Sequence, residues 1–474
     1  MDKFDTKVQY LKYRVLREVA RHAWDDSLQE NILSIPKAIV PGKTSTMRCC
    51  VYKERAILGE RVQLAMGQDI TTDRVIEVID IACDECPTAG FEVTDNCRGC
   101  LAHRCEEVCK RGAITYDHNH VAHIDKSKCI ECGRCATVCP YGAIINRKRP
   151  CQRACKVKAI SMNENGDATI NYQKCTECGA CVYMCPFGAI TDKSYILHVV
   201  DLLKSDAQVY ALVAPAIASQ FNYAKSGQVI SGLKALGFHA VVEVALGADM
   251  VALEEAKELG EKGFLTSSCC PAFVQFIRSA FPELEEHISH NLSPMAMLAK
   301  RIKEDRPEVK IVFIGPCTAK KAEIKQEHVR PYVDGVLTFE ELQALFDSRD
   351  LNITELEECE LDNASYFGRI FARSGGLTDA VAQALKEQGI DFDLNPIVCD
   401  GIEECRTALF KKSKNLLKEN FIEGMACRGG CINGAGCLTH GDKDSARVDA
   451  HGQKASGKTI TDRKSTRLNS SHTS

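Results

Sequence analysis

The 474-residue chain lacks an apolar run approaching the roughly 20 residues that span a bilayer, so no membrane partner is expected. It lacks a large charge imbalance. The formal net charge is −4, which argues against a general nucleic-acid binder. It lacks the look of a secretory leader, because Met1–Trp24 is charged throughout. What stands out instead is 27 cysteines. Disulfide scaffolds are usually short and secreted, and a chain this long with 45% apolar residues has material for several ordinary cores. The cysteines therefore point to metal, and the expected location is a reducing cytoplasm.

Sixteen cysteines crowd between Cys83 and Cys185. The pattern C-x2-C-x2-C-x3-C-P occurs twice, as Cys129, Cys132, Cys135, Cys139, Pro140 and as Cys175, Cys178, Cys181, Cys185, Pro186. This is the bacterial ferredoxin run that holds [4Fe–4S] clusters, three thiolates on one loop and a fourth reaching the neighbouring cluster. Zinc sites use paired C-x2-C knuckles instead. The runs are offset by 46 positions, and the offset extends upstream, Cys105 to Cys151 and Cys109 to Cys155. Residues 97–190 read as two tandem ferredoxin-like units. By the cross-ligation rule, Cys97, Cys100 and Cys105 pair with Cys139, and Cys129, Cys132 and Cys135 pair with Cys109. In the second unit Cys175, Cys178, Cys181 and Cys155 make a full site. The counterparts of Cys97 and Cys100 are Ala143 and Asn146, so Cys151 and Cys185 lack two ligands. An unclaimed pair, Cys83 and Cys86, lies upstream. Three accessory clusters are expected, and a fourth if these four cysteines act together. Otherwise they are leftover thiols or a separate small metal site.

From about Ser205, strand-like apolar runs alternate with helical stretches, the α/β pattern. Three cysteine-bearing segments stand at the ends of such runs, where α/β folds place their sites: Leu265–Phe273, Ile314–Glu323 and Met425–Cys437.

These segments, LTSSCCPAF, IGPCTAKKAE and MACRGGCINGAGC, resemble the three signature motifs of the [FeFe]-hydrogenase catalytic domain. With the ferredoxin runs the resemblance covers roughly residues 95–440. It implies α+β ferredoxin-like iron–sulfur units followed by a two-lobed α/β catalytic domain. The implied cofactor is the H-cluster, a [4Fe–4S] cube joined through a cysteine sulfur to a diiron unit with CO, cyanide and azadithiolate. The implied cube ligands are Cys270, Cys317, Cys427 and Cys431, with Cys431 as the bridge. Cys269 matches the thiol that passes protons to the azadithiolate, and Glu255, Ser289 and Glu258 match the path to solvent. Lys320 matches the lysine that binds an iron cyanide. Pro215, Ala216, Ser268, Pro316 and Met425 match residues around the diiron pocket. The implied reaction is 2H⁺ + 2e⁻ ⇌ H2, with ferredoxin or a similar carrier as electron partner and hydrogenase maturation proteins supplying the cofactor. The alternatives are an iron–sulfur assembly relative without the diiron unit and a hydrogen sensor.

The motifs also depart from the usual forms. Gly315, Met295, Phe273 and Cys437 replace commoner residues, and no plant-type [2Fe–2S] pattern precedes the ferredoxin block, as in a divergent "group B" type. Cys49, Cys50, Cys359, Cys399 and Cys405 match nothing and read as core thiols. The expected boundaries are a helical lead-in at 1–80 packing on the ferredoxin units, those units at 81–192 and the catalytic domain at 205–450. Residues 462–474 resemble translated sequencing adapter. Arg147, Lys148 and Arg149, between the units, read as a basic turn that steers an acidic ferredoxin or is simply solvated.

Overall fold

The computed structural model describes residues 3–67, 74–84, 86–87 and 90–461, so the adapter-like tail lies outside the described residues. The C-terminal half forms two α/β lobes. In the first, strands run in the order Ala240–Glu243, Val209–Val213, Lys310–Gly315, Gly335–Thr338, and every pairing is parallel. Val209–Val213 is buried at all five positions, as expected for a parallel strand covered on both faces. The second lobe has Leu265–Thr266, Phe421–Met425 and Pro396–Asp400, again all parallel. Its faces are covered by separate apolar clusters, one around the helix Ala245–Lys262 and one around Pro271–Ala280 and Ile402–Ser413.

The lead-in helix Lys7–Trp24 opens with a capping box, Thr6 with Gln9. Its buried face, including Leu16, Val19 and Ala20, joins the core of the first lobe rather than the ferredoxin units. A later helix, Val51–Ala65, does reach the second unit, where Arg61 donates to the Gly188 carbonyl at 2.6 Å. A buried ion network ties these parts together. Asp192, on the last ferredoxin strand, takes Lys12 at 2.5 Å and Lys321 at 2.8 Å; Lys12 also meets Glu340 and Lys321 meets Glu341.

The ferredoxin units keep the 46-residue repeat in their backbone. The hairpin Ile114–Tyr116/Ala122–Ile124 recurs as Ile160–Met162/Ala168–Ile170. Gly133 and Gly179 share a φ near +75°, and Lys158 takes up the left-handed position of Gly112. The units are nested, however, not tandem. Gly90–Val93 pairs antiparallel with Ile144–Arg147 to close the first unit, and Ile76–Val78 pairs with Ile190–Asp192 to close the second. The register is the same, Val93 opposite Ile144 and Val78 opposite Ile190. The outer strand of the second unit therefore comes first in the chain, and the first unit is inserted after it. A 46-residue offset cannot reveal this, because the displaced strand lies upstream of both repeats. No residue of 90–147 belongs to an apolar core cluster. Phe91, Ala113, Ile114, Ala122, Ala143 and Ile144 are buried but make only a small core of their own, and strands of three or four residues are marginal alone.

Candidate active site

The three C-terminal motifs follow the C-terminal ends of parallel strands, two from the second sheet and one from the first, so the two lobes face each other across them. Cys269 and Cys270 follow Leu265–Thr266 and start the helix Pro271–Ala280. Cys317 follows Lys310–Gly315 and leads into the short helix Ala319–Glu323. Cys427 follows Phe421–Met425, and Cys431 begins a 3-10 turn. The glycines of the last motif let it close on the second: Gly436 N–H donates to the Pro316 carbonyl at 2.8 Å, and a Cβ on Gly434 would lie 2.4 Å from that oxygen. Met425 is buried at its strand end. The 3-10 turn Pro215–Ser219, with Ala216 fully buried, packs against the turn at Cys431.

Cys270, Cys317, Cys427 and Cys431 are brought together. Burial, then Cys270 and Cys431, pushes the Cys317 thiol up to about 12; burial and Cys270 do the same to Cys431. Cys427 is raised well above the ordinary value by burial and by Cys317, Cys178, Cys270 and Cys431. Cys178 therefore sits beside this set. Its loop is in contact: Thr318 donates to the Glu177 carbonyl at 2.8 Å, and a Cβ on Gly179 would meet Ala435 Cβ and Thr318 Oγ1 at 2.5 Å.

Lys320 is buried and donates to Glu323 at 2.6 Å and to the Cys269 carbonyl at 3.4 Å. Burial lowers its pKa, but Glu323 and the nearby thiols hold it above the ordinary lysine value. Glu323 was missed by the sequence reading; its signal was the i,i+3 spacing on one helix face.

Cys269, Glu255, Ser289 and Glu258 lie in that order within electrostatic reach of one another, with a hydrogen bond between the last two. Burial, then Glu255 and Cys270, pushes the Cys269 thiol well above the ordinary value. Glu255 is fully buried, and desolvation raises it from 4.5 to about 7. Ser268 N–H and hydroxyl each lie 3.4 Å from its Oε1, while Oε2 is buried without a hydrogen-bond partner among the described residues. Ser289 donates to Glu258 at 3.1 Å and is close enough to Glu255 to lower its pKa. Partial burial works against the charge on Glu258, but hydrogen bonds from Lys262 and His290 hold its pKa below the ordinary value. His290 Nδ1 stands 2.6 Å from Glu258 and is 74% exposed, so the series ends at solvent. His290 also escaped the sequence reading, since no motif covers it.

Among the accessory cysteines, Cys97, Cys100, Cys105 and Cys139 line one cavity, and Cys109, Cys129, Cys132 and Cys135 line another. Cys155, Cys175, Cys178 and Cys181 lie within mutual electrostatic reach, as do Cys83, Cys86, Cys151 and Cys185. Among the described residues no three His, Cys, Asp or Glu converge on a single-ion site. The first two sets are spread around a space, as a four-iron cube requires. Two expectations are corrected. Cys49 and Cys50 are exposed, not core thiols, because they precede the helix at Val51 on the surface. Arg149 is buried and Arg147 pairs with Glu92, so the basic turn is not a free cationic patch.

Residues 207–435 match the family model described as the iron only hydrogenase large subunit, C-terminal domain. Residues 121–144 and 168–191 each match a 4Fe-4S binding domain. Iron hydrogenase 1 of Clostridium pasteurianum is 28% identical over 324 residues, covering 56% of this chain and 56% of that protein, so the chain spans little over half that relative's length. A cytosolic Fe-S cluster assembly factor of Meyerozyma guilliermondii is 28% identical over 158 residues, covering 30% of this chain and 29% of that protein. A solved [FeFe]-hydrogenase structure superposes with a TM-score of 0.50 at 21% identity, covering 58% of this chain and 93% of that chain, a likeness of fold.

Proposed function

For a chain that is iron-only hydrogenase-like over its C-terminal half and carries 4Fe-4S binding units ahead of it, we propose the activity 2H⁺ + 2e⁻ ⇌ H2. The single observation that carries this reading is the series Cys269, Glu255, Ser289, Glu258, which leads from beside four clustered cysteines to solvent. Passing on or assembling iron–sulfur clusters does not by itself call for a carboxylate buried between those cysteines and solvent and raised to about 7 by desolvation.

The residues fit an H-cluster. Cys270, Cys317, Cys427 and Cys431 are soft donors held from three strand ends, and burial raises the thiols of Cys317, Cys427 and Cys431, whose protons a bound metal would replace. Lys320 is a buried cation with a donor to spare for an anionic ligand. When bound, the cofactor supplies the iron and the base between which H2 is split or made. The chain's own residues move the proton: Cys269 exchanges it with Glu255, and Glu255 with Glu258 through Ser289. His290 and Lys262 then hold Glu258 at the surface. Clusters held by the cysteine sets would supply the electrons; the set placed last is Cys155, Cys175, Cys178 and Cys181, whose loop touches both Cys317 and Cys427 motifs. Ferredoxin or a similar small carrier is the proposed external partner, and maturation proteins the source of the diiron unit.

The second reading is an assembly factor without the diiron unit, favoured by the 28% identity to one such factor. Infrared spectroscopy of protein matured with a diiron precursor separates the two. Metal-bound CO and cyanide bands together with hydrogen evolution are expected. Their absence from protein with full [4Fe–4S] content would leave the assembly reading.

A further inference from the structure

We propose that Cys83, Cys86, Cys151 and Cys185 hold a fourth accessory [4Fe–4S] cluster, completed by a C-x2-C pair that the nested topology has moved upstream of the inserted unit. The inference rests on the accessory-cluster reading above and extends it to a site that neither 4Fe-4S domain match includes in full.

The argument is one of positional equivalence. In the first unit the strand Gly90–Val93 closes against Ile144–Arg147, Thr94 N–H bonds the Ala143 carbonyl at 2.8 Å, and Cys97 follows. In the second, Ile76–Val78 closes against Ile190–Asp192, Ile79 N–H bonds the Ala189 carbonyl at 2.7 Å, and Cys83 follows. Ala143 and Ala189 are repeat partners. So are Ala122 and Ala168, and their amides confirm the match. Ala122 N–H donates to Cys97 Sγ at 3.5 Å, and Ala168 N–H donates to Cys83 Sγ at 3.3 Å. Cys83 thus occupies in the second unit the place that Cys97 occupies in the first. The remaining positions agree. Ala143 N–H reaches Cys139 Sγ at 3.4 Å and Ala189 N–H reaches Cys185 Sγ at 3.2 Å. The Cys83, Cys151 and Cys185 side chains share one buried cluster, and Cys151 feels all three of its fellows.

The site also has a part of its own. Arg149 is buried. Its guanidinium donates to Cys83 Sγ at 3.5 Å, to the Cys86 carbonyl at 3.3 Å and to the Pro87 carbonyl at 3.1 Å. At the equivalent position the first unit has His103, which stacks on Tyr116 instead. A fixed cation on a ligating sulfur favours the reduced, more negative cluster, so Arg149 raises the midpoint potential of this site above what the same site has without it.

The test uses the full chain, reconstituted anaerobically with ferrous iron and sulfide and without the diiron unit. Five clusters at four irons each predict about 20 irons per chain. Cys83→Ser/Cys86→Ser is expected to lose about four irons and to take up one electron fewer in a reductive titration, while Cys49→Ser/Cys50→Ser loses none. Unchanged iron and electron count in the Cys83/Cys86 variant overturns the proposal. Should that variant fail to fold, Arg149→Gln decides. At full iron content one couple should move to lower potential, and no movement of any couple overturns the proposal. Wild-type protein with only the catalytic cube would overturn the underlying accessory-cluster reading as well.

Discussion

At the scale of single residues, adjacent cysteines have opposite duties. Cys270 stands just before the helix Pro271–Ala280 and lies beside the other motif cysteines, while Cys269 lies beside Glu255. Cys269→Ala is therefore expected to keep every iron and the CO and cyanide bands. Hydrogen evolution per intact cofactor should fall by about 10²–10⁴-fold, the usual contribution of a positioned proton carrier. Cys269→Asp should recover part of it, and near-normal turnover in the alanine variant would remove Cys269 from the path. Glu255 gives a pH test. Its pKa is raised from 4.5 to about 7 by desolvation, so its contribution to stability is fully present below about pH 4.5 and is lost as pH rises through 7. Glu255→Gln should flatten the dependence of thermal midpoint on pH between 5 and 8 and should also suppress turnover. A variant that kept the wild-type slope would show that another buried group sets it.

At the scale of elements, the decisive contact is the loop around Gly179 against Thr318 and Ala435. With φ at +75° and an added Cβ meeting two side chains at 2.5 Å, Gly179→Ala must move the loop away from both motifs. The expected cost is about 1–3 kcal/mol of stability and a fall in carrier-linked turnover larger than any fall with a small dye that bypasses the loop. Equal loss with both donors would mean that the loop is only structural. The strand-to-helix placement of the C-terminal cysteine motifs was legible in the sequence, because apolar runs such as VYALVAP and VKIVFIGP mark covered parallel strands and Cys317 stands just past the second of them. The 46-residue repeat was legible for the same kind of reason, since its loops need the same residues. The nesting was not. Strand pairing between Ile76–Val78 and Ile190–Asp192 spans more than a hundred residues and leaves no mark in local pattern. Arg149 was misread on the same account: its three acceptors come from Cys83, Cys86 and Pro87, which only the fold brings close.

At the scale of the whole molecule, the ion network at Asp192 joins three regions that the sequence shows as separate. Lys321, the second lysine of the P-C-T-A-K-K segment, is fully buried between Asp192 and Glu341, whereas its neighbour Lys320 faces the cysteines. Lys321→Met leaves two carboxylates short of a partner in the interior, for which about 3–5 kcal/mol of lost stability is expected. Burial would raise the Asp192 carboxyl, but Lys12 and Lys321 hold it well below the ordinary value of 3.8. Its contribution is therefore complete above about pH 4 and lost on acidification, so the wild type should shed its lead over Lys321→Met only in acid. A constant gap between their melting temperatures down to pH 2 would show that the network adds nothing through charge. The nested unit has the opposite character. Its first and last paired residues, Gly90 and Arg147, sit directly opposite each other, so everything between them enters and leaves the rest of the protein through a single narrow doorway. Such a segment behaves as a cassette. It can be lengthened, exchanged or deleted without cutting the second unit, and an ancestral gene could acquire it in one step. Under the proposed activity, the reach of an electron path toward its donor is then an adjustable trait, set apart from the two C-terminal lobes.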